Sequence, residues 1–241
     1  MRAGQDAAAK SPEVNTIIVG GPHSGVGKTL AAELAIRTLA ERTAVGAIKL
    51  TVADGERDAS HDHGSSAVML AAATGICGRG ASCGVCETVS AKIPSRLVTA
   101  DSAIRKAGTD TCRLHDAGAV AVAWVIALRE AAPRAVDDAM QYLRGRGAEA
   151  VVIEGTTALE WIKPVASVMV ATDPGREWKA VARRFAPACD VVLRNYPPSP
   201  VGDLPAPAEL RRAHPVDCNL SDESDPGRQR YVARLRELIP C

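Results

Sequence analysis

Short aliphatic runs alternate along the chain with longer stretches of helical spacing. Val14 to Val19, "VNTIIV", is an apolar run that ends in glycines and predicts a buried strand. Thr29 to Arg42 follows, rich in Ala and with Leu30, Leu34 and Leu39 near helical spacing, and predicts a helix packed on a sheet. "AVGAIKL" (Ala44 to Leu50) predicts the next strand, "SRLVTA" (Ser95 to Ala100) a short one, and "GAVAVAWVIAL" (Gly118 to Leu128) a strong one. "PRAVDDAMQYLRGRG" predicts a helix opened by Pro133 and closed at Gly145 and Gly147, the asymmetry that helix ends favour. "AEAVVIEG", "ASVMVAT" and "CDVVLRN" supply three further strands, and "RQRYVARLRELI" (Arg228 to Ile239) a closing amphipathic helix. Strands separated by helices imply right-handed crossovers, hence an α/β fold with a doubly wound, mainly parallel sheet.

One segment breaks this rhythm. From Thr51 to Pro94 the chain is rich in Gly, Ser, Asp, His and Cys, with "SSAVMLAAAT" its one helical stretch. An insertion this long beside a glycine-rich loop is more often functional than idle. The expected organisation is a single domain over 1–241, with an insertion at 51–94 and a C-terminal extension at 197–241 that begins in a Pro-rich, irregular stretch. The length suits one substantial domain.

Charge and composition narrow the classes. A formal net charge of +1 gives no global field for nucleic acid or an anionic membrane, and aromatics at 3% supply no base-stacking platform. The longest apolar run, Ala117 to Leu128, is too short to span a bilayer, and the first residues lack the apolar stretch of a signal peptide. A cytoplasmic location is the expectation. Seven cysteines then read as buried thiols, a metal site or a reactive thiol rather than a disulfide framework.

The chemistry starts at "VGGPHSGVGKTLAAELAI", Val19 to Ile36. The phosphate-loop template is G-x-x-x-x-G-K-[ST]; here Pro22 stands at its first position and Gly21 precedes it, so the loop is one residue longer. Strand before and helix after are the right context. Backbone N–H groups along Gly21, His23, Ser24, Gly25, Val26, Gly27 and Leu30 would line a phosphate site at the helix N-terminus. Lys28 would reach the outer phosphates and Thr29 would ligate Mg2+.

Two resemblances follow from these and later residues. The G-x5-G-K-T loop resembles that of dethiobiotin synthetases and cobyrinic acid diamide synthases. "KAGTDTCRLHDAGA" (Lys106 to Ala119) is similar to the G-K-D-S/T-x-R-x-x-x-A-G-A stretch of the molybdopterin-guanine dinucleotide biosynthesis B-protein family (MobB), through Gly108, Asp110, Thr111, Arg113, Ala117, Gly118 and Ala119. "VGAIKLT" and "AVVIEG" resemble that family's second strand and its V-x-V-E-G strand end. The likeness covers roughly residues 14 to 175 in the right order; Thr109 stands where the family has Lys, and the histidines expected after Lys49 are absent. It implies a P-loop NTPase with GTP as natural ligand, a protein partner in cofactor assembly, and slow turnover. Dimers are common in this P-loop class, so a homodimer is compatible with it.

Remaining residues carry paired readings. Glu154, ending a strand, would hold the magnesium water or orient the attacking one, against a solvent-exposed strand end. Asp110 would serve the metal or act as a switch carboxylate, against a helix N-cap. Arg113 would contact phosphate, against an exposed helix face. Asn195 ends the last strand, where related P-loop proteins place an Asn that reads the base. "CGRGASCGVC" puts Cys77, Cys83 and Cys86 at C-x5-C-x2-C, with Cys112 further on as fourth ligand; Zn2+ or an iron–sulfur cluster would fit, against reduced thiols in a loop. His61, Asp62 and His63 are a second ligand set or solvated loop residues, while Cys189, Cys218 and Cys241 read as structural. Three functions compete: a GTP-binding accessory protein for molybdenum- or related metal-cofactor assembly, an ATP-dependent synthetase using Lys49 and Lys163 on a carboxylate substrate, and a metallochaperone NTPase.

Overall fold

The computed structural model describes residues 14–53, 88–171, 178–196 and 215–239. Its strands are β1 (Asn15–Gly20), β2 (Val45–Ala53), β3 (Ser95–Val98), β4 (Ala121–Leu128), β5 (Ala150–Glu154), β6 (Ala166–Ala171), β7 (Val191–Asn195) and β8 (Val216–Cys218). The helices are α1 (Lys28–Ala40), α2 (Asp101–Ile104), α3 (Asp110–Asp116), α4 (Ala132–Gly145), α5 (Ala180–Phe185) and α6 (Pro226–Leu238).

The strands form one eight-stranded sheet in the order β3-β4-β2-β5-β1-β6-β7-β8. Every pairing is parallel except β3 with β4. Because successive side chains of a strand point to opposite faces, each central strand feeds two cores. Ile17, Val19, Ala47 and Val152 meet α1, α3 and α6 through Ala31, Ala35, Leu114, Tyr231 and Leu235. Ile18, Ile48, Val151 and Ile153 meet α4 through Val136, Ala139 and Leu143 on the other face, where Met169 and Val192 also receive Ala182 of α5. Helices thus cover both faces of a mostly parallel sheet, the arrangement the alternating pattern predicts.

Local corrections are informative. β2 runs to Ala53, past the predicted end at Leu50, and β4 starts at Ala121 rather than Gly118. The strand at 95–98 is present but antiparallel. Val216–Cys218, in the expected C-terminal extension but with no strand predicted there, adds a parallel strand beside β7, and α6 packs against α1, so the described residues of the C-terminal segment share the main core. The helical stretch "SSAVMLAAAT" lies outside the described residues, as do Cys77, Cys83, Cys86, His61, Asp62 and His63.

Candidate functional site at the strand ends

β1, β2 and β5 are parallel neighbours, so their C-terminal ends open on one side of the sheet, where such folds bind ligands. The apolar face formed by Val19, Ala47 and Val152 changes character two residues on, at Lys49 and Glu154. Strand pairing sets Lys49 beside Glu154 in register and Val19 on the other flank of Glu154. Lys49 is 5% exposed and Glu154 1%, so the carboxylate is a buried group and not the solvent-exposed strand end that was its alternative.

The loop from Gly21 to Gly27 leads into α1. Gly25 and Gly27 have φ of 83° and 98°, a region L side chains rarely adopt. A Cβ on Gly27 would also stand 2.6 Å from Asn195 Nδ2, so Gly is required there twice over. The helix that starts at Lys28 has neither a side-chain cap nor an acidic residue in its first turn. Its leading N–H groups therefore point at a place suited to an anion. Lys28 folds back over the loop, its Nζ donating to the His23 carbonyl at 2.6 Å. Burial pulls its pKa down from 10.5 to about 8; Glu154 and Asp110 oppose that shift, and Lys49 and Lys179 reinforce it. His23 Nδ1 lies 2.9 Å from the Ser24 carbonyl and so carries the proton, while its buried Nε2 finds no partner among the described residues. Leu30, one turn into the helix, lines a groove of about 130 Å³ with Leu220, Ser221 and Arg228.

Thr29 follows Lys28 and faces the carboxylates. Its Oγ1 lies 3.1 Å from Asp110 Oδ1 and 3.1 Å from Glu154 Oε2. A hydroxyl has one proton, so Thr29 shares it between the two carboxylates. The spacing is that of hydrogen bonds and is also compatible with a small divalent cation, whose bonds of about 2.0–2.1 Å set adjacent oxygens about 2.9 Å apart. The donors are all oxygens, the set a hard cation selects. Thr29, Asp110 and Glu154 therefore fit Mg2+. Among the described residues no three His, Cys, Asp or Glu side chains come together as a metal site; this set is two carboxylates and a hydroxyl.

The other predicted residues divide between the site and its supports. Asp110 opens α3, but the N-cap is Thr109, whose Oγ1 accepts from the Cys112 amide at 3.3 Å, leaving the Asp110 carboxylate to Thr29 and Lys49. Arg113 turns toward α1 and pairs with Glu33 at 2.6 Å. Asn195 braces the loop: Nδ2 donates to the Val26 carbonyl at 3.0 Å and Oδ1 accepts from the Leu220 amide at 3.1 Å. The Cys112 thiol donates to Asp116 Oδ2 at 3.4 Å. Lys163 is not among the groups brought to the loop.

Three contributors escaped the sequence reading. Thr156 exchanges two hydrogen bonds with Gly21, accepting from its N–H and donating to its C=O, each at 2.8 Å, and so ties the end of β5 to the start of the loop. Lys179 donates its backbone N–H to Pro22 at 3.3 Å. Lys49, noted only as a substrate cation, bridges both carboxylates. Thr156 had a local signal, two residues beyond a strand-ending Glu; the others depend on the sheet register.

No family model, curated protein or solved structure significantly matches the chain. The site is therefore argued on its own geometry. Among the described residues no helix is long and apolar enough to cross a membrane. A cavity of about 350 Å³, lined by Asn15, Arg42, Glu149 and Arg236 among others, lies at the opposite end of β1 and β5.

Proposed function

We propose that this chain is a P-loop nucleoside triphosphatase of low turnover, binding GTP with Mg2+ and serving the assembly of a molybdenum or related metal cofactor. The observation that carries the nucleotide half is the convergence of Thr29, Asp110 and Glu154 directly behind a glycine loop headed by Lys28. The cofactor-assembly half, with its protein partner, rests on the motif likeness of Lys106 to Ala119 to the MobB family.

The roles follow from placement. The first-turn amides of α1 and the loop amides bind the phosphates, and Lys28 exchanges its His23 carbonyl for the outer phosphate oxygens. Thr29, Asp110 and Glu154 would hold Mg2+, which would supply charge neutralisation on the phosphates. Glu154, fixed by strand pairing and buried, has Oε1 on Lys49 and Oε2 toward Thr29, which supports the metal-holding role over orientation of the attacking water. Asn195 holds Val26 and Leu220 in place, which assigns it to support of the loop before any contact with a base.

Calorimetric titration with non-hydrolysable GTP and ATP analogues in Mg2+ tests this. Binding with guanine preference is expected, and Lys28→Ala should weaken it at least about a hundredfold, since a charge-assisted contact and the loop geometry go together. Undiminished affinity in Lys28→Ala would remove the reading. Adenine preference would instead favour an ATP-dependent synthetase, the reading favoured by Lys49 and Lys179 standing near the loop.

A further inference from the structure

Lys49 sits where a lysine needs explaining. It is 5% exposed, and its ammonium lies 2.7 Å from Asp110 Oδ2 and 2.5 Å from Glu154 Oε1. The other oxygen of each carboxylate, Asp110 Oδ1 and Glu154 Oε2, is the one that faces Thr29. Each carboxylate is thus split between two tasks. One oxygen is held by Lys49 and the other is offered to the metal position. Lys49 does not fill that position; it stands behind it.

Resting on the nucleotide reading above, we propose that Lys49 is a resident counter-ion that makes divalent-metal binding conditional on the nucleotide. One buried carboxylate, Glu154, one part-exposed carboxylate, Asp110, and a hydroxyl, taken alone, carry a charge of −2 and would attract a divalent cation whether or not a nucleotide were present. Lys49 halves that charge, and Lys28 lies close enough to feel both carboxylates. A metal ion that enters the empty site must shed water against a cluster with almost no net attraction for it. The triphosphate supplies the missing negative charge, so metal and nucleotide enter together. Strand pairing fixes the Lys49 backbone between Glu154 and Trp124, so its ammonium is delivered to the same two carboxylates. It is a positioning residue: it holds one oxygen of each carboxylate while the other faces Thr29, and it sets the charge that a metal meets.

The probe is Mn2+ alone, a paramagnetic stand-in for Mg2+, titrated into the full chain without nucleotide and followed by the resonance signal of the free ion. Lys49→Gln and Lys49→Met should bind Mn2+ at least about tenfold more tightly than the wild type, as removal of one charge a few ångströms from a divalent ion requires. Structural damage alone would weaken metal binding, so the direction of the change separates the two. Unchanged or weaker Mn2+ binding in both variants, with nucleotide still bound, overturns the proposal. Should neither variant fold, the wild type decides: no Mn2+ uptake until nucleotide is added supports it, and micromolar uptake without nucleotide overturns it. Failure of the wild type to bind either nucleotide analogue would bring down the nucleotide reading instead.

Discussion

At the head of α1, Lys28 has been taken partly out of water, and its pKa falls from 10.5 to about 8 because burial outweighs the attraction of Glu154 and Asp110. The unfolded chain keeps this proton up to the ordinary lysine range, so between about pH 8 and 10.5 it binds more protons than the native state. Raising pH through that window favours the folded form, and below it the full cost of burying the ammonium is present. Lys28→Met should therefore be more stable than the wild type at about pH 7, by roughly 2–3 kcal/mol, with the gap closing by about pH 10. Denaturant titrations of both proteins at the two pH values measure this; a gap that widens toward alkaline pH would show that the lysine is stabilising where it lies. The same burial makes the charge valuable, since a lysine already stripped of water meets a phosphate at little further desolvation cost.

At the scale of elements, α3 is tied to its surroundings by charges at two points. Asp110 joins it to Lys49 and Thr29, and Arg113 joins it to Glu33 of α1. The second tie is half exposed, so Arg113→Ala should cost no more than about 1 kcal/mol in thermal or chemical unfolding. Nucleotide affinity in that variant should stay within about twofold of the wild type, which calorimetry checks. A tenfold loss would return Arg113 to the phosphates. The strands β1, β2, β4, β5, β6 and β7 were legible because a strand covered on both faces reads as a short continuous apolar run. Lys28, Thr29 and Glu154 were legible too, through a loop spacing and a charged residue closing an apolar run. β8 was not, since Val216–Cys218 is too short to show a period. The direction of β3 was also hidden, because a strand's partner is not written in its own residues. Lys49 reaching both Asp110 and Glu154 depends on the register of β2 against β5 and on where α3 is docked, and neither is a local property of the sequence.

Over the whole molecule, the chain's last described segment returns to its first helix. Tyr231 donates from its buried hydroxyl to the Ala31 carbonyl at 3.1 Å, and Leu235 is fully buried in the core that α1 shares with β1, β2 and β5. Leu235→Ala should lower stability by about 2–5 kcal/mol, and as one cooperative transition followed by both circular dichroism and tryptophan fluorescence. A separate early transition would mean that β8 and α6 fold as an independent unit. The brace of Asn195 between Val26 and Leu220 has a consequence in time. The loop is made within the first thirty residues, but the residues that hold it, 195 and 220, are made near the far end of the described chain. A growing chain on the ribosome therefore carries this loop without its Asn195 brace until residues 195 and 220 have been made. On the proposed function, a product truncated before Asn195 would fill much of the core and yet bind nucleotide more weakly than the full chain, for want of that brace.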